Sequence, residues 1–260
     1  MRSLRWPLLG ALPFLLLLAA PATAQDGVTE QYARVQQGQW KESIRWLQQQ
    51  TRLLPVDASL EQRRRKKEIE LDWQFTVGLF DQVPWGERTA EMTSHPLTLL
   101  AWAVDAWNHG FTVEVRKEAE ALAALRKANP QSVELQLIEP QARALFLQGS
   151  GLPDSAVAVL RAAARLEASQ PAQALPRPAH EALGEMLYWL GRNAEAQDAF
   201  QQSLARTPGR ARSITGLALS ARAGGDTAVA DRAMAQLRAN FQAADEGAVE
   251  SMLKSVRKVK

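Results

Sequence analysis

The chain of 260 residues carries 31 lysine and arginine residues against 28 aspartate and glutamate residues, a formal net charge of +3, and it contains no cysteine. So small a charge surplus argues against a dedicated nucleic-acid binder, which needs a large positive excess to meet the phosphate backbone. The absence of cysteine excludes disulfides, thiolate metal sites and attachment of a lipid to a cysteine.

The N-terminus has the three-part layout of a secretory signal peptide. Two arginines open it, an apolar run follows over residues 8–20, and the small residues Ala22 and Ala24 precede Gln25. A membrane span needs about 20 apolar residues, and this run is shorter and broken by a proline. We therefore expect residues 1–24 to be removed, leaving a periplasmic or secreted chain with no transmembrane segment.

Residues 25–95 are predicted to form a divergent N-terminal helical repeat region, with a long helix over about residues 59–81. The densest charge of the protein lies in this helix, as the basic run Arg63, Arg64, Arg65, Lys66 and Lys67. Acidic neighbours interleave with it, which is typical of a solvated helix face. A weak contact with an anionic envelope surface is the functional alternative. A new helix is expected to begin near Pro96.

The clearest unit of an internal repeat lies in the C-terminal half of the chain. Apolar residues recur at helical spacing over residues 183–190, and Gly191 then interrupts the pattern where a helix C-cap requires a positive φ. A second apolar stripe through Ala196 and Phe200 ends at Pro208. This pattern predicts a helix, a tight turn and a second helix.

The same intervals between small, turn and large residues return along the chain, and the step from Ala196 to Ala230 is 34 residues. Small residues let paired helices approach, glycines make the turns, and large residues fill the space between successive pairs. The residues assigned to this packing are Gly184, Gly191, Ala196, Phe200, Pro208, Gly225, Ala230, Ala156 and Leu160. Each pair leaves apolar surface that only a neighbouring pair covers, so the pairs should stack.

This spacing of a small residue, a glycine, an alanine, an aromatic residue and a proline resembles the tetratricopeptide repeat family, whose usual period is about 34 residues. It is also similar to such segments in exported proteobacterial proteins of unassigned role. The resemblance implies an all-α, right-handed solenoid of antiparallel helix pairs over residues 96–260. A last helix, over about residues 246–259, is expected to cap it with a polar outer face.

In that family the first helix of each pair lines a concave groove that binds the partner. By spacing, the groove residues outside the apolar stripes are Trp107, Gln141, Leu145, Glu181, Glu185, Tyr188, Arg212 and Arg222. We expect Glu181, Glu185, Tyr188 and Arg212 to be accessible, and the two glutamates to attract a basic segment and repel a carboxylate terminus. The alternative is binding through the convex face or through the tryptophan-rich N-terminal half, which includes Trp73 and Trp85.

The sequence predicts neither a catalytic site nor a cofactor. His180 and Glu181 begin like a zinc-protease motif, but Gly184 stands where the second histidine would be. We therefore expect a non-enzymatic exported scaffold or adaptor that binds a protein or peptide partner in the cell envelope. An accessory helical protein of cell-wall metabolism and a small-ligand binding protein remain alternatives.

The compartment is directly testable. Because the charged start, the apolar run and the small residues at Ala22 and Ala24 agree, expression of the full chain in a Gram-negative host should give a periplasmic product that begins at Gln25. N-terminal sequencing of the purified product measures this. A membrane-bound product that still begins at Met1 would contradict the prediction.

Overall fold

The computed structural model describes residues 30–31, 33–53, 95–171 and 177–257, and every regular element in these ranges is helical. This confirms the all-α prediction for the described part of the chain. No helix within these ranges is long and apolar enough to cross a membrane. The cleavage residues Ala22, Ala24 and Gln25, the helix predicted over residues 59–81 with its basic run, Trp73 and Trp85 lie outside the described residues.

Ten helices of nine residues or more lie in the described ranges, and four consecutive pairs form the body of the fold. In chain order they are α1 Trp40–Leu53, α2 Pro96–Asn108, α3 Thr112–Ala128, α4 Val133–Gly149, α5 Pro153–Ser169, α6 Ala179–Trp189, α7 Asn193–Arg206, α8 Ala211–Ala223, α9 Thr227–Asn240 and α10 Ala248–Val256. The pairs are α2–α3, α4–α5, α6–α7 and α8–α9. The two helices of each pair pack together, and each pair packs on the next.

The same three-residue turn joins the helices of all four pairs. Its middle residue is Gly110, Gly151, Gly191 or Gly225, with φ between +74 and +84°. The residue after each glycine donates its N–H to the carbonyl five residues earlier, at 2.8 to 2.9 Å. This hydrogen bond closes the helix end around a left-handed residue, a conformation that favours glycine. The turn positions predicted at Gly191 and Gly225 are confirmed.

The small and large residues predicted to pack the repeats are buried. Ala156, Ala196 and Ala230, on the second helices of their pairs, are fully buried. Leu160 and Phe200 are buried as well, and they lie one helical turn after Ala156 and Ala196 respectively. The helix that carries Phe200 ends at Arg206, two residues before Pro208, as predicted. The helix predicted near Pro96 also begins at that residue.

Phe200 of α7 is wedged between two glycines on the neighbouring first helices. A Cβ atom added at Gly184 of α6 would lie 2.9 Å from the ring, and one added at Gly216 of α8 would lie 2.2 Å from its Cζ atom. Leu183 and Leu217 pack in the same apolar cluster. The predicted place of Phe200 between the last two pairs is therefore confirmed. Gly216 was not part of the predicted packing set.

The C-terminal helix packs mainly against α8, the first helix of the last pair. Its buried residues are Ala248, Met252 and Val256, and its predicted polar face, with Glu250 and Lys254, is exposed. That outward polar face is confirmed.

A segment from the other end of the described chain covers the end of α9. Trp40 meets Phe241 edge-on with ring centroids 6.2 Å apart. The N–H of Asp245 donates to the Gly38 carbonyl at 3.0 Å, and the N–H of Lys41 donates to the Asp245 carboxylate at 2.7 Å. The end of the last pair is thus covered partly by residues that precede it by about two hundred positions.

The Phe200 wedge predicts opposite effects for two glycine-to-alanine substitutions in helices. Gly216→Ala should destabilise the fold by about 1–3 kcal/mol, because its Cβ atom meets the ring. Gly149→Ala is the control, because its Cβ atom would lie 3.4 Å from Thr112, and it should be neutral or stabilising. Phe200→Ala should cost about 3–5 kcal/mol. Thermal and urea unfolding measure all three, and a stabilising Gly216→Ala would contradict the wedge.

Candidate functional site

The predicted groove residues lie on the first helices of the pairs, α2, α4, α6 and α8, and most of them are buried. Gln141, Leu145, Glu181, Glu185 and Arg212 are buried, Trp107 and Tyr188 are half-buried, and Arg222 is exposed. The expectation that Glu181, Glu185 and Arg212 are accessible is therefore wrong. Of the predicted set, Trp107, Tyr188 and Arg222 keep accessible surface.

The two glutamates are buried because arginines neutralise them inside the fold. Glu181 accepts hydrogen bonds from Arg210 at 2.6 and 2.8 Å and from the Ser213 hydroxyl at 2.6 Å. Glu185 accepts from Arg177 at 2.8 Å and from Nε of Arg212. Neither carboxylate is available to a basic ligand, since its charge is compensated by these partners.

Two of these arginines, Arg177 and Arg210, were missed by the sequence analysis because they precede α6 and α8 instead of lying on them. Arg210 is the N-cap residue of α8, and Arg177 lies two residues before the start of α6. Arginines just before α6, which carries both glutamates, and just before the next first helix, α8, were the signal that could have found the pairs. Repeat spacing alone placed both glutamates toward solvent.

The electrostatics of Glu185 follow from its surroundings. Burial by itself raises the pKa of this carboxyl, but the charges of Arg212 and Arg177 and their hydrogen bonds hold the pKa below its ordinary value. The ion pair is therefore present at neutral pH. It joins α6 to α8 and to the segment before α6.

Arg212 also forms hydrogen bonds with the C-terminal helix α10. Its guanidinium donates to the hydroxyl and to the carbonyl of Ser255 on α10, at 3.2 and 3.1 Å. The indole N–H of Trp189, the last residue of α6, donates to the carbonyl of Val256 at 3.0 Å. The C-terminal helix thus lies over part of the face that was predicted to be open.

Part of the surface that stays accessible on the first helices is aromatic. Trp107, at the end of α2, stacks on Trp189, at the end of α6, with ring centroids 4.5 Å apart and planes 24° apart. The indole N–H of Trp107 donates to Gln148 of α4 at 2.8 Å. The ends of three first helices therefore meet here. We call this stacked pair, Trp107 and Trp189, together with the half-buried Tyr188 that precedes Trp189 in the chain, the aromatic cluster.

His180 has a structural partner. Its Nδ1 atom lies 2.7 Å from a carboxylate oxygen of Glu167, which also accepts the N–H groups of Ala179 and His180 at the start of α6. Gly184, where a second zinc-ligating histidine would stand, faces the Phe200 ring. The described residues contain no group of three or more side chains suited to holding a metal ion.

The depressed pKa of Glu185 predicts a pH dependence of stability. The ion pair contributes fully above the ordinary carboxyl pKa of 4.5, and its contribution is lost as the pH falls from there toward the lower pKa of the folded state. The melting temperature of wild type should fall through this window more steeply than that of Glu185→Gln. At neutral pH this variant should be less stable by about 3–5 kcal/mol, because two buried arginines lose their charged partner.

The matched control is Glu195→Gln, which removes a carboxylate paired with Arg192 at the surface. Solvent screens this pair, so the loss of stability should be much smaller. Melting curves from pH 3 to 7 measure both variants, and equal curves for the two variants would contradict the buried pair.

Comparison with known proteins adds no assignment to this site. The chain matches no known protein-family model and no curated protein. The resemblance to tetratricopeptide repeats, carried by the residues quoted above, therefore stays a prediction.

Proposed function

We propose that the chain is a non-enzymatic helical-repeat protein of the tetratricopeptide type, exported to the cell envelope, where it binds a protein or peptide partner. Four successive helix pairs joined by the same glycine turn support a right-handed solenoid of repeats. The N-terminal pattern around Ala22 and Ala24 supports export. Such an array offers a long surface built from many small units, which suits the docking of a peptide or a helix.

The partner binds at the aromatic cluster, and the Trp107–Trp189 stack carries this proposal. Tryptophan and tyrosine dominate binding energy at protein interfaces because they bury large areas with few rotatable bonds. Both indole N–H groups already have acceptors inside the chain, Gln148 for Trp107 and Val256 for Trp189. Covering the exposed ring surface of these two tryptophans therefore leaves neither indole N–H without an acceptor.

This placement changes the kind of partner expected from the sequence. A groove lined by free glutamates would attract basic segments, and salt would weaken that attraction. With Glu181 and Glu185 paired to arginines, the surface that the aromatic cluster offers is mainly apolar ring. The partner should therefore present apolar or aromatic side chains, and its affinity should depend little on ionic strength.

The test uses the mature protein, which begins at Gln25, as bait in an envelope extract. The double variant Trp107→Ala, Tyr188→Ala should bind the retrieved partner about 30-fold more weakly, as expected when interface hot spots are removed. Isothermal titration with the identified partner measures this at low and high salt.

The control is Arg222→Ala, because Arg222 is exposed on α8 and pairs with Asp231 at the surface. This variant should retain full binding. Circular dichroism must show equal helix content for all variants. Unchanged affinity of the aromatic double variant would move the search to the tryptophan-rich N-terminal half.

A further inference from the structure

The C-terminal helix α10 is a short amphipathic helix with a defined seat. Its three buried residues, Ala248, Met252 and Val256, recur every fourth position and so form one stripe. Ala248 and Met252 belong to the same apolar cluster as Ile214 and Ala218 of α8. We call Ile214, Ala218, Arg212 and Trp189 the α10 seat.

The seat recognises the end of a helix as well as its apolar stripe. The last carbonyls of a helix have no partner within that helix. In α10, the Ser255 carbonyl accepts from Arg212, and the Val256 carbonyl accepts from Trp189. The positive charge of Arg212 also faces the negative end of the helix dipole. Two donors from two different helices thus fix where a bound helix must end.

These two donors are held in place by contacts that do not involve α10. The guanidinium of Arg212 bonds Glu185 on its inner side, and the indole of Trp189 stacks on Trp107. Side chains that are ordered before binding lose less conformational entropy when they bind. We therefore expect these two donor side chains to stay in place when α10 is absent.

The helix α10 is the least secured element of this face. It has nine residues, and an isolated helix shorter than about 12–15 residues is marginal in water. It follows Gly247, which is exposed and has a φ of +76°. Because only three of its side chains are buried, its opening should cost much less than global unfolding.

We propose that the α10 seat binds an amphipathic helix of a partner protein, and that α10 is its resident occupant. The partner helix carries apolar residues at positions i, i+4 and i+8 and ends with free carbonyls beside Arg212 and Trp189. It displaces α10, whose tether keeps it at an effective concentration of about a millimolar. A partner helix longer than α10 competes successfully with the tethered helix because it buries more apolar surface. The inference rests on the proposed function for the existence of a protein partner.

The experiment uses a probe made from the chain itself, an N-acetylated, C-amidated, fluorescently labelled peptide of residues 246–257. In the full mature chain, Met252→Asp places a charge in the buried stripe of α10 and releases the helix from its seat. The peptide should then bind at least about tenfold more tightly than it binds wild type, because the fraction of open seats rises. Lys254→Ala, on the exposed side of the same helix, is the matched control and should behave as wild type.

Two further probes report on the specificity of the seat. A peptide carrying Met252→Asp should not bind the released chain. Adding Trp189→Phe to the Met252→Asp chain removes the donor to the helix end while keeping an aromatic ring, and should weaken binding of the unmodified peptide about fivefold. If the folded Met252→Asp chain binds the unmodified peptide no more tightly than wild type, the seat is not a helix-binding site.

Hydrogen exchange on wild type keeps the proposal testable if Met252→Asp does not fold. At about 1 mM, comparable to the effective concentration of the tether, the peptide should speed amide exchange in residues 249–256 and leave α8 protected. Unchanged exchange at this concentration would overturn the proposal. The peptide experiments need no partner protein. If the peptide binds but the pull-down retrieves no partner, the result counts against the proposed function alone. A partner that binds while the peptide does not would count against the seat alone.

Discussion

The wedge of Phe200 between α6 and α8 sets the spacing on which the rest of this face depends. One aromatic ring fills the gap, and glycine at both Gly184 and Gly216 lets the two helices close on it. At that separation, Glu181 and Glu185 on α6 come within hydrogen-bond reach of the arginines at the start of α8. A larger residue at either glycine would push the helices apart and separate these pairs. The apolar contact therefore comes first, and the ionic contacts follow from it.

The sequence predicts an open, charged groove at Glu181 and Glu185, but the ion pairs with arginine place both glutamates in the protein interior. Removing two charges from water is costly, and it is tolerated only where good geometry and further hydrogen bonds compensate. Glu185 meets this condition through Arg177 and Arg212, and Arg212 goes on to bond Ser255 of α10. Such a chain of contacts fixes the relative position of three helices more than it adds stability. Under the proposed function, the aromatic cluster and the seat that α10 occupies are the surfaces offered to a partner.

The last helix pair is covered by two separate segments, and the difference between them bears on function. Residues 36–41 reach the start of α8 and the end of α9 through Gln36, Lys41 and Trp40, so the array is closed by chain from far away in sequence. The helix α10 instead lies beside the first helices and ends on Arg212 and Trp189. Terminal units of stacked helix pairs need a cover with a polar outer face. Here that requirement is met by two segments, and Ala248 and Met252 of α10 share one apolar cluster with Trp40 and Phe241.

The sequence alone was enough to predict the helix class, the glycine turns at Gly191 and Gly225, and the burial of Ala196 and Phe200. These depend on local φ requirements and on the periodicity of apolar residues, which are properties of neighbouring positions. The burial of Glu181 and Glu185 was decided only by the tertiary structure. The arginines that pair with them lie just before α6 and at the start of α8. From the sequence alone, a glutamate is expected at the surface unless the position of its counter-charge is known. The seat of α10 was hidden for the same reason, because the donors to its last carbonyls lie more than forty residues away along the chain.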